Sequence, residues 1–320
     1  MNKTGKNRLV AAIVAAITIG FGAGSALAGG LLAVDFDAGN FGASKNVDNP
    51  YWPLAPGMVA TTYIYLGETE DGCVFDKVES KPALNKMFTV APYDAVMPLV
   101  VVDTEWEVED MECDEMLDEL SSDNTWQPDE GMGELTHDWF AQDGFGNIWY
   151  MGEASRDFGD VEIDGIETEC PSTDDVPLGT LREDWPEIVP GSDDLFLECT
   201  AGSWEAGQPG QEEGEIDGIP GIVVPSDTPF GVGTGDPLTP GTYWMQEVAE
   251  NAQDMAKVLR TVAPLDEDEQ CRKVKEWNPF EHGGSVEHKW YCKDGDGLVL
   301  IEGVGGGPTE IEELVLVFNP

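Results

Sequence analysis

HDWFAQDGFGNIWYMGE, residues His137–Glu153, predicts one β-hairpin and sets the fold class. Successive side chains of a strand point to opposite faces, and the first half of the stretch alternates in this way, with His137, Trp139 and Ala141 on one face. The return half alternates similarly. Residues 143–147, Asp-Gly-Phe-Gly-Asn, supply a turn because Gly and Asn tolerate positive φ. Aromatic side chains then form cross-strand pairs that stabilise the hairpin.

Further strand-like segments extend the hairpin into a single all-β domain over residues 49–320. They cover residues 58–66, 97–102, 271–277, 286–292, 298–302 and 310–318. The chain has neither a βαβ rhythm nor a repeat of fixed period, so we expect antiparallel pairing in a curved sheet, a partly open barrel or a sandwich. One or two short helices are expected, one at Asn251–Leu259 and another within Asp103–Glu119.

The N-terminus has the pattern of a signal peptide over residues 1–28. Three basic residues precede an apolar run at 9–21, and Ala-Leu-Ala at 26–28 fits a signal peptidase. Residues 29–48 are predicted to form a flexible leader. The sequence therefore predicts an exported protein, periplasmic or extracellular, with no integral membrane span after cleavage of the signal peptide.

Six cysteines in an exported chain predict three disulfides. If Trp277 faces Val286 across the C-terminal hairpin, the residues of the Cys271–Cys292 pair also face each other, close enough to bridge. A Cys170–Cys199 disulfide would join the two ends of the second acidic insert. If both pairs form, the two remaining cysteines give Cys73–Cys113.

The composition is strongly acidic, with 63 Asp and Glu against 16 Lys and Arg and a formal net charge of −47. Removal of the three basic residues of the signal peptide makes it −47 − 3 = −50. Such a charge excludes nucleic acid and anionic membrane surfaces as partners. Acidic inserts are expected near 103–131 and 159–200. Their carboxylates indicate either adaptation to a salty exterior or cation capture, and the first insert would be either a cation site or a solvated face.

Signatures of catalysis are absent from the sequence. There is no nucleophile elbow, zinc-binding helix motif or phosphate loop, and the chain has only three histidines, His137, His282 and His288. His288 alternates with Val286 and Trp290 on one strand face, which favours a packed, structural side chain. We therefore predict no catalytic residue. A hydrolase built on a carboxylate pair is the weakest hypothesis, because 63 acidic residues make some close pair inevitable.

Calcium is the one cofactor that the sequence suggests. Asp294-Gly-Asp296-Gly resembles the opening of a calcium loop, and Asp143 and Asn147 flank a glycine-rich turn. Ordinary turn chemistry explains both patterns equally well. A calcium-dependent acidic structural protein is therefore the alternative hypothesis.

The leading hypothesis is a non-catalytic protein that binds an apolar, lipid-like ligand or an exported partner protein. Ten tryptophans are many for one β domain, and a curved sheet can hold a ligand on its concave face. The candidate ligand-binding residues are Trp139, Trp149, Trp244 and Trp290. The same four side chains would otherwise simply fill the core.

Four stretches carry a resemblance to a known family. They are NPYWPLAPG at 49–57, DWFAQDGFGNIWYMGE at 138–153, GSWEAG with PGIVVP within 202–225, and VKEWNPFEHGGSVEHKWYCKDGDGLV at 274–299. The chain resembles a family of exported bacterial proteins of uncharacterised activity, with the motifs NPYWPLxPG, WxAQDxxGNxWYxGE and VEHKxY. The resemblance implies an exported β protein and no particular chemistry. This chain departs from the family pattern in its two cysteine-bearing acidic inserts.

Overall fold

A computed structural model describes most of the chain. The described residues are 30–43, 45–69, 72–86, 91–109, 111–163, 166–173, 178, 199–200, 203–208, 218–227, 239–249, 253–262, 271–279, 286–293, 297–304 and 311–319. The predicted signal peptide lies outside these ranges. No helix within them is both long and apolar enough to cross a membrane.

Strands dominate the described residues. They are β1 (Thr62–Glu68), β2 (Gly72–Lys81), β3 (Leu99–Glu109), β4 (Met132–Gln142), β5 (Ile148–Asp157), β6 (Asp160–Ile163), β7 (Ile166–Glu169), β8 (Trp204–Glu205), β9 (Ile219–Val224), β10 (Tyr243–Met245), β11 (Glu247–Val248), β12 (Met255–Val262), β13 (Cys271–Trp277), β14 (Val286–Cys292), β15 (Gly297–Gly303) and β16 (Ile311–Phe318). One α-helix, α1 (Cys113–Ser122), and three single-turn 3₁₀-helices accompany them within the described ranges.

Fourteen of these strands form one antiparallel sheet that curls into a nearly closed barrel. Its order is β10-β12-β13-β14-β15-β16-β1-β2-β3-β4-β5-β9-β11, and β8 pairs with β5 off this path. The two end strands, β10 and β11, are separated in the chain by Gln246 alone, and the single seam lies between them. The all-β, partly open barrel expected from the sequence is therefore confirmed.

The central hairpin forms as predicted and runs further in both directions. β4 and β5 pair through Gln142 with Ile148, Ala141 with Trp149 and Phe140 with Tyr150. At the other end of the chain, β13 and β14 have the predicted bounds, and Trp277 faces Val286. The alternation of side chains fixed both registers, because a slip by one residue would turn every core side chain outwards.

The structure contains the three disulfides expected from the sequence. Their Cα–Cα distances are 5.2 Å for Cys73–Cys113, 5.7 Å for Cys170–Cys199 and 4.1 Å for Cys271–Cys292. The last pair lies directly across β13 and β14. Cys73–Cys113 ties the start of α1 to β2, where Met116 and Leu120 of the helix are buried.

Two secondary-structure predictions need correction. The described part of Asn251–Leu259 is not a helix, since Met255–Val262 is strand β12, which pairs with β10 on one side and β13 on the other. Ala256 and Val258 are fully buried while the residues between and after them are not, which is the period of a strand. The first acidic insert also begins later than expected, because β3 continues to Glu109 and only then does the chain leave the sheet.

The segment before β1 is part of the core. The Leu32 amide donates a hydrogen bond to the Tyr243 carbonyl oxygen over 2.8 Å, and the Phe36 ring packs edge-on against Trp149 at 5.4 Å. Residues 29–48 were expected to form a flexible leader. The described residues of this segment instead pack against the sheet. These contacts cover the barrel wall near the β4–β5 turn.

Residues Asn49–Leu54 close one end of the barrel. The Asn49 side chain donates to the Gly146 carbonyl oxygen over 2.7 Å, so this segment is tied to the turn between β4 and β5. The Trp52 ring lies edge-on against Phe140 at 5.2 Å, and Leu54 is fully buried. The barrel therefore has a solid apolar end, and its remaining interior lies on one side of Trp52.

Candidate functional site

The predicted metal ligands do not form an open site. Asp143 Oδ1 accepts hydrogen bonds from the amides of Phe145 and Asn147, each over 2.9 Å. Its Oδ2 accepts from the side chains of Asn147 (2.8 Å) and Trp149 (3.0 Å). Four N–H donors occupy this carboxylate, so Asp143 shapes the turn. Asp294 and Asp296 lie outside the described residues, and within those residues no three His, Cys, Asp or Glu side chains are arranged around a possible metal position.

The four candidate tryptophans do not meet in one binding site. Trp139, Trp149 and Trp244 are buried in the main core, and Trp290 lies in a separate cluster beside the Cys271–Cys292 disulfide. None of the four lines the barrel cavity described below. In the described structure these four side chains pack in the core, which was the alternative to ligand binding.

The two histidines that the structure describes, His137 and His288, lie among packed side chains of the sheet. His288 Nδ1 lies 3.1 Å from Glu302 Oε2, and the His288 ring packs edge-on against Trp290 at 6.2 Å. Burial lowers the pKa of His137 on β4. His282 lies outside the described residues.

A cavity of about 340 Å³ occupies the barrel interior, and acidic residues make up half of its lining. Nine carboxyl groups line it: Asp76, Asp103, Glu105, Glu134, Asp138, Glu153, Glu247, Asp254 and Glu276. Among the described residues of the lining, Lys289 has the one basic side chain. Two of the nine, Asp103 and Glu105, lie in the first acidic insert expected from the sequence, and the other seven lie outside both inserts.

Strand alternation explains how these carboxyl groups come to face inwards. On β3, Asp103 and Glu105 line the cavity, while Trp106 points to the opposite face. There, on the outer side of the sheet, Trp106 packs with Phe75 and with Met116 of α1. The helix covers the apolar face, so the polar face of the same strands is left for the interior.

The strand register brings the carboxyl groups together. Glu105 pairs with Asp76 on β2 and with Glu134 on β4, and Asp138 pairs with Glu153 on β5. Facing residues of neighbouring strands have Cβ atoms about 5 Å apart. Like charges this close repel each other, so part of the cluster must hold protons or bind cations.

Burial and charge together raise several of these pKa values. Burial, reinforced by Glu312, raises the pKa of Glu105 from 4.5 to about 8. Burial and the charge of Asp103 raise the pKa of Asp76 well above its usual range. Burial and Asp254 do the same to the pKa of Glu247. Each carboxyl group loses hydration and faces further negative charge, and both effects favour its neutral form.

The Tyr150 hydroxyl group bridges Asp138 and Glu153. The Tyr150 hydroxyl oxygen lies 2.6 Å from Asp138 Oδ1 and 2.6 Å from Glu153 Oε2. A phenol can donate only one hydrogen bond, so the second short contact requires a proton on one of the two carboxyl groups. In a hydrolase with a carboxylate pair, the substrate lies between the acid and the base. Between Asp138 and Glu153 that position is taken by the Tyr150 hydroxyl group.

Lys289 neutralises one wall of the cavity. Its Nζ lies 2.9 Å from Glu276 Oε2 and 3.2 Å from Glu287 Oε2. Burial opposes its charge, but these two carboxylates outweigh burial and raise the pKa of Lys289. Two of the three N–H donors of the ammonium group therefore serve ion pairs on β13 and β14.

Among the described residues that line the cavity, three buried polar atoms have no hydrogen-bond partner. They are Asp76 Oδ1, Glu247 Oε2 and the indole Nε1 of Trp52. The three residues are only 8%, 5% and 8% exposed. An unpaired polar atom in a buried position costs on the order of 1–3 kcal/mol, and more when it is charged.

An aromatic floor closes the cavity at its apolar end. Trp52, Phe140, Tyr150 and Tyr291 line it, with Phe140 stacked on Tyr150 at 5.0 Å. This floor was not recognisable from the sequence, because Trp52 and Tyr291 are distant from the hairpin residues in the chain. The acidic wall could have been suspected from the alternation in Asp103–Glu109, where every second residue is acidic.

Comparisons with known proteins add little. No protein-family model matches the chain, and no curated protein matches it. Among solved structures, a crystal structure of a "putative lipoprotein" from Parabacteroides distasonis matches with 8% identity over 84% of this chain and 99% of that one, at a TM-score of 0.35. A similarity of this size indicates neither a shared fold nor a shared function.

Proposed function

We propose that this chain is an exported, non-catalytic protein that binds a positively charged organic ligand inside its barrel. The observation that carries the proposal is the lining of one cavity, in which nine carboxyl groups of the described residues face a single ammonium group, that of Lys289. A cationic ligand would donate charge-assisted hydrogen bonds to carboxylates of this lining and offset the cost of burying them.

The acidic wall favours a cationic ligand over the apolar ligand expected from the sequence. A lipid-like molecule in this cavity would exclude water from nine carboxyl groups and give them no hydrogen bond in return. A cation does the opposite, because it interacts favourably with every ionised group in the wall.

The aromatic floor favours an organic cation. Aromatic faces attract ammonium groups and also bury the hydrocarbon part of an amine. Trp52 and Phe140 meet at 5.2 Å and offer such a surface beside the carboxyl groups. Calcium is the competing cation, because carboxylate oxygens are also its preferred ligands.

The disulfides support the exported location. Three disulfides in the described structure are typical of a protein that folds in an oxidising compartment. A binding protein outside the cytoplasm would meet its ligand in the medium or the periplasm.

Titration calorimetry of the protein purified without its signal peptide tests the proposal. The probes are spermidine, tetramethylammonium, calcium chloride and a neutral fatty alcohol. We expect an organic cation to bind. We also expect Asp76→Asn to weaken this binding about tenfold, since a charge-assisted hydrogen bond contributes about 1.5–3 kcal/mol.

Glu115→Gln is the matched control. This residue is exposed on α1 and lies outside the cavity, so the variant removes the same unit of charge without touching the site. Binding of calcium or the fatty alcohol alone, or equal loss of affinity in both variants, would contradict the proposal.

A further inference from the structure

One part of the outer face of the sheet is basic in this acidic protein. On β13, Glu276 lines the cavity, so by alternation Lys273 and Lys275 lie on the outer face. On β12, Lys257 faces Lys275, and Arg260 faces Lys273. We call these four residues the basic patch. The whole chain has 16 Lys and Arg residues, so a quarter of them lie in this patch.

The basic patch has few carboxylate partners of its own. Like charges that face each other across two strands destabilise a sheet. Lys273 Nζ lies 3.0 Å from Glu302 Oε2. In the part of the chain that the structure describes, no carboxylate forms an ion pair with Lys257, Arg260 or Lys275. Arg260 is exposed and these two lysines are partly exposed, so a partner from outside can supply the missing negative charge.

An apolar strip borders the basic patch. Trp277 on β13 faces Met255 on β12, and Met255 faces Met245 on β10. Met245 is 43% exposed, and Lys275 Nζ lies 5.0 Å from the centre of the Trp277 ring. The surface as a whole therefore suits a partner that presents carboxylates beside an apolar side chain.

Helix α1 presents this combination on its exposed side. Met116 and Leu120 are buried against the sheet. Asp114, Leu117 and Asp118 have the spacing i, i+3, i+4, so they share one side of the helix, and all three are exposed. Leu117 is 40% exposed, which is unusual for a large apolar side chain without a partner.

The spacing of the charges matches between the two surfaces. Asp114 and Asp118 lie about 6 Å apart along the helix axis. Lys273 and Lys275 lie about 6.7 Å apart along β13. Within one molecule the two surfaces cannot meet, because the Cys73–Cys113 disulfide holds α1 on β2, five strand spacings or about 24 Å from β13.

We propose that the basic patch of one copy of this chain binds the exposed side of α1 of a second copy. Because the two surfaces differ, the contact is head-to-tail and can repeat from copy to copy. The net charge of −47 makes two copies repel each other at low salt. At about 0.15 M salt the Debye length is about 8 Å, so the charges in contact outweigh the distant ones. The proposal does not depend on a ligand in the cavity.

Sedimentation velocity over a dilution series, on the protein without its signal peptide and at about 0.15 M sodium chloride, measures the contact. We expect the natural protein to associate as its concentration is raised. Lys257→Glu/Lys275→Glu places acidic residues opposite α1 and should weaken association at least about tenfold. Asp114→Lys/Asp118→Lys should weaken it as much, since two basic surfaces then meet.

An equal mixture of these two variants tests the pairing directly. The reversed patch of one variant matches the reversed helix of the other, and their unchanged surfaces still match. The mixture should therefore associate at least as well as the natural protein. Asp35→Lys/Asp94→Lys is the matched control, because it makes the same change of charge at exposed residues outside both surfaces. This variant should associate like the natural protein.

Three outcomes would overturn the proposal. They are a natural protein that stays monomeric up to about 1 mM, a mixture that associates no better than its two components, and an equal loss of association in all three variants. Where a reversed variant does not fold, Lys275→Gln still decides. It should weaken association, whereas Lys81→Gln, outside the basic patch, should not.

Discussion

Several carboxyl groups of the barrel interior are buried or half-buried, so water hydrates them only in part. Glu105 is half-buried between Asp76 on β2 and Glu134 on β4. Asp76 and Glu247 are buried more deeply, each with one unpaired oxygen. Such positions weaken a fold unless they bind a proton or a ligand, and residues that cost stability are typical of functional sites.

Glu105→Gln should make the protein more stable at pH 8 than the natural chain and have little effect at pH 5. The folded state holds the Glu105 proton up to about pH 8, whereas an unfolded chain releases it near 4.5. More protons are then bound in the folded state, so stability falls as pH rises between these values. With a discount for partial exposure, the difference between the two pH values should be roughly 2 kcal/mol.

Urea unfolding at both pH values measures this effect, with Glu115→Gln as the exposed control. An equal gain in the two variants would show that general charge repulsion, and not the position of Glu105, is responsible.

Among the elements, the hairpins formed as predicted, and one of the two expected helices formed, as α1, in the C-terminal part of Asp103–Glu119 and just beyond it. The other, at Asn251–Leu259, did not. β4 and β5 contain their own turn and their own aromatic pairs, so their register depends on residues close in the chain. β12 depends on partners from elsewhere, β10 and β13, and the helical propensity of its residues is overridden by that pairing. The segment 49–54 is similar, since its closing role appears only when Asn49 contacts the turn at Gly146.

Removal of the Cys271–Cys292 disulfide should destabilise the C-terminal part of the sheet. The bond joins residues 21 apart in sequence and lies across β13 and β14. Closure of a loop of this size stabilises by about 3 kcal/mol in the chain-entropy model. The double variant Cys271→Ala/Cys292→Ala should therefore lose about that much free energy of unfolding in urea. A double variant as stable as the natural protein would show that the bond adds nothing to the paired strands.

The matched control is Cys170→Ala/Cys199→Ala, which removes the bond at the second acidic insert. This variant should leave binding of the organic cation unchanged, because neither cysteine lines the cavity. Loss of ligand binding in this variant would show that the second acidic insert contributes to the binding site.

The whole molecule carries negative charge both outside and inside. The formal net charge is −47, and nine carboxyl groups line the interior cavity. Salt screens the outer charges, which interact through water, much better than the inner ones. The negative charge therefore has two components: the charge of the exposed surface, which salt screens, and the charge of the cavity lining, which salt screens much less.

The melting temperature should rise as sodium chloride increases from low to molar concentration, because screening weakens the self-repulsion. Potassium chloride at equal ionic strength should act alike, and a large difference between the salts would indicate a specific ion site. A flat response to both salts would mean that bound cations already neutralise the carboxylates.

The sequence by itself determined what depends on neighbouring residues: the all-β class, the central and C-terminal hairpins, and the register that places Cys271 opposite Cys292. Alternation also marks the two faces of β3, with Asp103 and Glu105 on one and Trp106 on the other. It does not say which face is inside. Only the tertiary structure decided that, because α1 covers Trp106 and turns the carboxyl groups into the barrel. Burial depends on what packs against a strand, and that partner is distant in sequence.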